Sequence, residues 1–254
     1  MKLDEYLKNI APNWGVPYID PKCMGAFDRV TPIKPKEYLE FAERDILGKD
    51  LRGAVNALSN SKRAIDSQLE NIIKAFGLPK KRNFPERLEI IQSMGLVAPR
   101  IIRKIIQTRN LIEHEYERLS VSEAEDTVDI ATLFVEATNK LFNHSYIQEL
   151  YIADKSTYIE LSFDENLNSI NGDESPNWRY SEGLWIDFSN ETRDFGITVV
   201  SGRKEVSETI VKPKDPSFLK LIRFIIEHDM DGDSFDDTDS ALELIRILTE
   251  DFVA

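Results

Sequence analysis

The first half of the chain repeats apolar residues every three or four positions, which is the spacing of amphipathic helices. In the longest such run the apolar positions are Leu51, Ala54, Val55, Leu58, Ile65, Leu69, Ile72 and Ile73. The pattern predicts helices over residues 37–50, 51–77, 84–94 and 99–119, and a fifth that starts near a Ser122–Glu125 capping box and ends near Phe142. Four or five helices within about 110 residues pack as a bundle.

The residues before this bundle are rich in proline. Five prolines fall between residues 11 and 36, namely Pro12, Pro17, Pro21, Pro32 and Pro35. Each proline lacks a backbone N–H donor and biases the preceding residue away from the helical conformation. Residues 1–35 are therefore predicted to form an extended arm without regular secondary structure.

The apolar pattern changes to a two-residue period after Tyr146, as expected for strands. It predicts strands over residues 159–163, 184–188, 195–200 and 205–211, followed by helices at about 216–228 and 240–252. The chain is thus predicted to be an α+β protein. A helical bundle over residues 36–145 is followed by a smaller strand-rich α+β domain over residues 146–254.

Composition narrows the possible functions. Cys23 is the single cysteine and there are three histidines, so neither a disulfide framework nor a structural zinc site is expected. The first residues lack the apolar core of a signal peptide, and no run of about 18 apolar residues could span a membrane. We therefore expect a cytoplasmic protein without a membrane span.

The net charge of −13 is unevenly distributed. Residues 34–118 contain 17 Lys and Arg against 12 Asp and Glu, a net of +5, which leaves −18 on the rest of the chain. The basic segment suits contact with RNA, and it equally suits docking between two halves of opposite charge. The residues that could follow an RNA backbone, or could form an ordinary solvated surface, are Lys80, Lys81, Arg82, Arg100, Arg103 and Lys104.

The acidic stretch at residues 229–239 has alternating carboxylates, but it does not fit a calcium-binding loop. An EF-hand loop needs glycine at position six and glutamate at position twelve, whereas Gly232 is fourth and Ser240 is twelfth from the first aspartate. This stretch is expected to be a solvated linker, and no metal site is predicted.

An aromatic group follows in the strand-rich half. Trp178, Tyr180 and Trp185 could stack nucleic-acid bases or a peptide. Trp185 lies in an alternating strand, so packing is the better interpretation of that residue.

The helix predicted over 99–119 carries Arg109 on its apolar side, where an unpaired guanidinium would cost several kcal/mol. Pairing with Glu113, four residues on, is the simplest explanation. His114 lies about 140° from Arg109 round an ideal helix, whereas Asn110 and His114 share a face. Arg109 and His114 would meet if the arginine reaches around the helix, or if a second copy completes the site across a twofold axis.

These residues resemble the motif of the HEPN superfamily, whose ribonuclease members carry Arg, a polar residue, three variable residues and His. The run RNLIEH at 109–114, late in a long helix of a bundle over about 36–143, carries the resemblance, which covers a little under half of the chain. The resemblance implies a metal-independent, homodimeric endoribonuclease in a toxin-antitoxin or antiviral defence setting. It also implies that His114 would transfer the proton of a ribose 2′-OH or of the leaving oxygen. Arg109 would stabilise the phosphorane charge, and Asn110 would orient phosphate or His114.

Tyr116 extends the resemblance to Arg-x4-His-x-Tyr, the motif of HepT-like toxins, in which the tyrosine is a target for nucleotidyl modification by a partner antitoxin. On the helical wheel Tyr116 lies in the apolar arc, so a core aromatic side chain is the simpler interpretation. A second hypothesis for the whole chain is a noncatalytic HEPN-type interaction module. In that case Arg109 and Glu113 form a structural pair, and the acidic second half docks a basic partner.

Overall fold

The structure, a computed structural model, describes residues 1–24, 26–80, 83–96, 104, 119–143, 146–158, 180–228 and 238–253. The described residues form helices and one antiparallel sheet, which confirms the predicted α+β class. The α-helices are α1 Leu3–Asn9, α2 Pro35–Ile46, α3 Leu51–Ala75, α4 Phe84–Ser93, α5 Val121–Asn143, α6 Pro216–Glu227 and α7 Thr238–Phe252. The strands are β1 Pro17–Met24, β2 Tyr146–Asp154, β3 Glu182–Phe188, β4 Phe195–Ser201 and β5 Lys204–Val211.

The chain divides into two compact units. The first, which we call the sheet unit, combines Met1–Met24 with Tyr146–Ala254, and the second, the helical unit, is Gly25–Ser145. The sheet unit contains 13 basic and 27 acidic residues, a net of −14, whereas the helical unit contains 19 basic and 18 acidic residues, a net of +1. Most of the negative charge of the chain therefore belongs to the sheet unit.

The helical unit is built on close packing of α2, α3 and α5. Half of the side chains in one of its buried clusters are alanines: the cluster contains Ala42, Ile46, Ala54, Ala57, Leu58, Leu119, Ala124 and Val128. Small residues let helix backbones approach closely. At Gly53 a Cβ atom would overlap the backbone carbonyl oxygen of Asp45, so the crossing of α2 and α3 requires glycine there.

The ends of α3 and α4 follow the sequence signals. The Asp50 carboxylate accepts a hydrogen bond from the Gly53 N–H at 2.7 Å and caps the start of α3. Gly77 and Gly95 follow the two helices with φ of 63° and 74°, a conformation that glycine adopts without a Cβ clash. The helices predicted over 51–77 and 84–94 are confirmed, and the one predicted over 37–50 lies at Pro35–Ile46.

The start of α5 was predicted one capping box too late. Ser120, not Ser122, caps this helix: its Oγ accepts from the Glu123 N–H at 3.2 Å, and Glu123 Oε2 accepts from the Ser120 N–H at 2.9 Å. The side-chain hydrogen bond from Ser120 lowers the pKa of Glu123. Both serines have a glutamate three residues on, but the Ser120 box is flanked by buried Leu119 and Ala124. These two positions form the hydrophobic staple that fixes the earlier start.

The sheet unit is an antiparallel meander in the order β1-β2-β3-β4-β5. Ile152 pairs with Ile19 on one side and Leu184 on the other, and Leu184 pairs with Val199, so buried apolar residues run across one face. Phe218 of α6 packs against that face with its ring 5.3 Å from Phe195. The strands predicted over 184–188, 195–200 and 205–211 and both C-terminal helices are confirmed, whereas the strand predicted over 159–163 lies outside the described residues.

The prediction of an extended arm over 1–35 is wrong for its first 24 residues. They form α1, a 3-10 turn at Ala11–Asn13 and β1, which pairs with β2 along its length. The prolines fit because they stand where no N–H is needed: Pro12 in the first turn of the 3-10 helix, Pro35 at the start of α2, and Pro17 and Pro21 in a strand at the edge of the sheet.

The helical unit is an insertion between two neighbouring strands. Met24, the last residue of β1, pairs with Tyr146, the first residue of β2, and residues 25–145 lie between them in the sequence. The sheet unit is therefore discontinuous in sequence, although its second part starts at the predicted position, residue 146.

Candidate functional site

Most of the predicted ribonuclease site falls outside the part of the chain that the structure describes. Arg109, Asn110, Glu113, His114 and Tyr116 all belong to this group. So do four of the six basic residues considered for RNA contact, Lys81, Arg82, Arg100 and Arg103. The other two, Lys80 and Lys104, are exposed.

The last residue of the predicted catalytic helix is fixed in the core of the helical unit. Leu119 is 6% exposed and packs with Ile46 of α2, Leu58 of α3 and Val128 of α5. The chain enters α5 through the Ser120 cap immediately afterwards. The C-terminal flank of the motif is therefore held by three helices.

Several basic residues of the helical unit are paired with acids and do not form an open cationic surface. Lys36 lies 2.9 Å from Glu136, and Lys74 lies 3.2 Å from Glu70. Arg87 lies 3.4 Å from Asp66. Surface pairs of this kind contribute at most about 1 kcal/mol each to stability, but they reduce the positive charge available to a phosphate backbone.

Arg29 caps the C-terminal end of α5, a role that the sequence pattern did not predict. Its guanidinium donates to the Phe142 carbonyl at 3.4 Å, to the Asn143 side chain at 2.7 Å and to the Asn139 side chain. A cation at a helix C-terminus meets the negative end of the helix dipole. Partial burial lowers the pKa of Arg29, and its contacts identify it as a structural residue.

The polar side of the sheet carries a group of carboxylates. Asp187 pairs across the strands with Glu149 of β2 and with Gly196 of β4, and a Cβ at Gly196 would approach the carboxylates of both Asp187 and Glu208. Burial, followed by the charges of Glu149 and Glu208, raises the pKa of Asp187 to about 6. Among the described residues no group of three or more His, Cys, Asp or Glu is arranged to hold a metal ion.

The aromatic group on the same side of the sheet is mainly a packing cluster. Tyr180 is 4% exposed and stacks on Tyr151 with ring centres 5.2 Å apart, which leaves no free face for a base. Trp185 packs on this cluster, so the packing interpretation of that residue is confirmed. Trp178 and residues 229–237 of the acidic stretch lie outside the described residues, whereas Asp239 lies in the first turn of α7.

A cavity in the sheet unit brings together residues that no sequence motif had linked. It has a volume of about 450 Å³ and is lined by Trp14, Asp154 and Glu182 among others. Trp14 directly follows the 3-10 turn Ala11–Asn13 and precedes β1, Asp154 ends β2 and Glu182 begins β3. The only local signal was the Asp154-x-Ser156 pattern of an Asx turn, in which the Asp154 carboxylate accepts from the Ser156 N–H at 2.8 Å.

No family model, curated protein or solved structure matches the chain. Of the helices that the structure describes, none combines the length and the apolar character that a membrane crossing requires.

Proposed function

We propose that the helical unit is a metal-independent endoribonuclease of the HEPN type. The observation that carries the proposal is the spacing Arg109-Asn110-x3-His114 in a segment between α4 and α5. Two features support it: the flanking elements are helices, and the last residue of the predicted catalytic helix, Leu119, is anchored against α2, α3 and α5. A rigid support of this kind is what a catalytic pair needs.

The proposed reaction is attack of a ribose 2′-OH on the adjacent phosphate. A bond forms between the 2′-oxygen and phosphorus, the bond from phosphorus to the 5′-oxygen breaks, and the products are a 2′,3′-cyclic phosphate and a 5′-hydroxyl. His114 transfers the proton of the attacking or the leaving oxygen, Arg109 stabilises the charge on the phosphorane, and Asn110 orients the phosphate or His114. A second copy of the chain completes the site, and the cellular setting is toxin activity or antiviral defence.

The distribution of charge supports RNA contact by the helical unit. Lys80 and Lys104 are exposed, and the unit has a net charge of +1. The sheet unit, at −14, would repel a phosphate backbone. Regulation of the nuclease, for example by an antitoxin-like protein that modifies Tyr116, belongs to the same proposal.

The test is incubation of the purified chain in EDTA with a labelled single-stranded RNA and with the same sequence in 2′-deoxy form. We expect cleavage of the RNA only, because the nucleophile is the 2′-OH. His114→Ala should lose at least about 100-fold in rate, and Arg109→Lys should also lose activity because it keeps the charge but not the bidentate geometry.

The matched control is His144→Ala, which removes another histidine outside the motif and should leave the rate unchanged. Absence of RNA cleavage by the wild-type chain, or cleavage that persists in His114→Ala, would contradict the proposal.

The strongly acidic sheet unit favours a second candidate, a noncatalytic module that docks a basic partner. Its net charge of −14 is the observation that supports this function. In this case Arg109 pairs with Glu113 for structural reasons. Arg109→Ala should then cost about 3–5 kcal/mol of unfolding free energy, and His114→Ala should cost almost nothing. Normal melting of both variants together with loss of RNA cleavage would exclude this candidate.

A further inference from the structure

The cavity of the sheet unit has a lining that suits one class of ligand. Its volume of about 450 Å³ is within the range of small-molecule sites. The lining residues that matter for recognition are Asn9, Asn13, Trp14, Asp154, Ser156 and Glu182. Two of them carry a negative charge, one is an indole, and no lysine or arginine lines the cavity within the described part of the chain.

Asp154 provides a fixed negative charge in the cavity wall. Its carboxylate accepts hydrogen bonds from the Gly15 N–H, from the Val16 N–H at 3.1 Å, and from the N–H and hydroxyl of Ser156. Burial alone would raise the pKa of Asp154, but the hydrogen bonds from Ser156, Val16 and Gly15 outweigh it and hold the pKa below its ordinary value. The group is ionised at neutral pH, and its oxygens are already occupied by the protein.

Glu182 provides the negative charge that a ligand can contact. It is half-buried; its backbone carbonyl accepts from the Thr157 hydroxyl at 3.2 Å, but no hydrogen bond or ion pair to its carboxylate occurs among the described residues. Its charge contributes, after burial, to raising the pKa of the buried tyrosines Tyr6 and Tyr151. Lys155, which follows Asp154 in the chain, has its Nζ 5.5 Å from the ring centre of Tyr18. Because no described side chain neutralises it, this carboxylate is available to pair with a cation that enters the cavity.

Trp14 provides an apolar wall whose orientation is fixed. Its ring lies edge-on to Tyr6, with ring centres 6.1 Å apart, and Tyr6 is fully buried. Trp14 itself is half-buried, so part of the indole is open to the cavity. An indole face is the strongest aromatic partner for an organic cation.

We propose that this cavity binds an alkyl guanidinium or ammonium group between the Trp14 indole and the Glu182 carboxylate. An anion is excluded because it would meet two carboxylates. A neutral apolar group would bury the Glu182 charge without compensation. A metal ion does not fit, because no metal-binding group of side chains occurs among the described residues.

The cation belongs either to a free small molecule or to a basic side chain of a polypeptide, and both have the same recognition chemistry. The net charge of −14 on the sheet unit attracts either one. This inference does not depend on the ribonuclease proposal, because it concerns residues of the other unit and its test measures binding.

The test uses the full chain and isothermal titration with three probes: agmatine, the peptide acetyl-Gly-Arg-Gly-amide, and the same peptide with citrulline in place of arginine. Citrulline has nearly the shape of arginine but no charge. We expect saturable binding of agmatine, of the arginine peptide or of both. The citrulline peptide should bind at least about tenfold more weakly than the arginine peptide. Binding should weaken as salt is added.

Two variants localise the binding. Glu182→Gln and Trp14→Leu should each weaken it at least about tenfold. Glu191→Gln removes the same charge from an exposed position of the same unit and should leave binding unchanged. Thermal melting establishes that each variant is folded, and because the Glu182 carboxylate has no partner to lose among the described residues, Glu182→Gln remains informative even if Trp14→Leu does not fold.

The outcomes are distinct. Binding of agmatine without the arginine peptide identifies a small-molecule cation, and binding of the arginine peptide identifies a basic side chain; both support the proposal. It is overturned by lack of saturation with either probe up to about 10 mM. It is also overturned by equal binding of the citrulline peptide, or by equal effects of Glu182→Gln and Glu191→Gln.

Discussion

The fully buried side chain of Asn71 ties the segment before α2 to α3. Its Oδ1 accepts hydrogen bonds from the Val30 N–H at 2.9 Å and from the Thr31 N–H at 3.1 Å. Its Nδ2 donates to the Thr31 hydroxyl at 3.1 Å. We predict that Asn71→Ala, which removes all three bonds and leaves two backbone N–H groups without their acceptor, destabilises the helical unit.

The expected cost follows from these contacts. Each net hydrogen bond contributes about 1 kcal/mol, and a backbone N–H that stays dry without an acceptor costs about 1–3 kcal/mol. Val30 is 45% exposed, so water can reach part of this segment and limit the second effect. We therefore expect Asn71→Ala to lower the free energy of unfolding by about 3 kcal/mol. Thr31→Val, which removes the side-chain bond alone, should cost about 1 kcal/mol.

Urea unfolding followed by far-ultraviolet circular dichroism measures these losses. The double variant with both Asn71→Ala and Thr31→Val should be about as stable as Asn71→Ala alone, because Asn71→Ala already removes the bond to the Thr31 hydroxyl. The coupling energy between the two positions should therefore be about 1 kcal/mol. Asn56→Ala, on the exposed side of the same helix, is the matched control. A loss below about 1 kcal/mol for Asn71→Ala, or strict additivity with Thr31→Val, would refute this account of the segment.

Two further predictions follow from close packing and from charge. Gly53→Ala gains up to about 1 kcal/mol of helix propensity, but the overlap of its Cβ with the Asp45 carbonyl should make it about 1–2 kcal/mol less stable than wild type in urea; a net gain in stability would contradict this. Asp187 has its pKa raised to about 6 in the folded chain, above about 3.9 in an unfolded one, so its ionisation costs stability progressively as pH rises through this window. Asp187→Asn should therefore raise the free energy of unfolding by about 1–2 kcal/mol at about pH 8, allowing for screening of a half-buried group, and should leave it unchanged at about pH 3.5. Equal effects at both pH values would contradict the raised pKa of Asp187.

Local patterns in the sequence were sufficient for most helices. The spacing of apolar residues predicted α3, α4, α6 and α7, since each is amphipathic. Gly77 and Gly95 mark the ends of α3 and α4, and Pro216 marks the start of α6. The start of α5 was missed because two capping boxes overlap. The choice between them depends on the burial of Leu119 and Ala124, which a polar-pattern rule alone does not consider.

The first strand could not be predicted from its own residues. Proline counts against regular structure in general, but an edge strand uses only one side of its backbone for pairing. Whether Pro17 and Pro21 lie at such an edge is decided by β2, which begins at residue 146. This information is absent from the local sequence.

The two proposed sites also differ in how far apart their residues lie in the sequence. The ribonuclease proposal depends on residues 109–114, which are close in sequence and readable as a motif. The cation cavity depends on Trp14, Asp154 and Glu182, which come together only when β1 pairs with β2 and β2 with β3. No spacing rule connects them.

The insertion of the helical unit between β1 and β2 determines which part of the chain each proposed site requires. Met24 and Tyr146 are paired, so residues 25–145 leave the sheet and return to it at adjacent positions. A fragment that starts at Tyr146 lacks the edge strand and Trp14, and with them one wall of the cavity. The cation site therefore requires residues on both sides of the insertion, whereas the proposed catalytic motif lies entirely within it. For this reason a variant that loses RNA cleavage is not expected to lose cation binding, and a variant that loses cation binding is not expected to lose RNA cleavage.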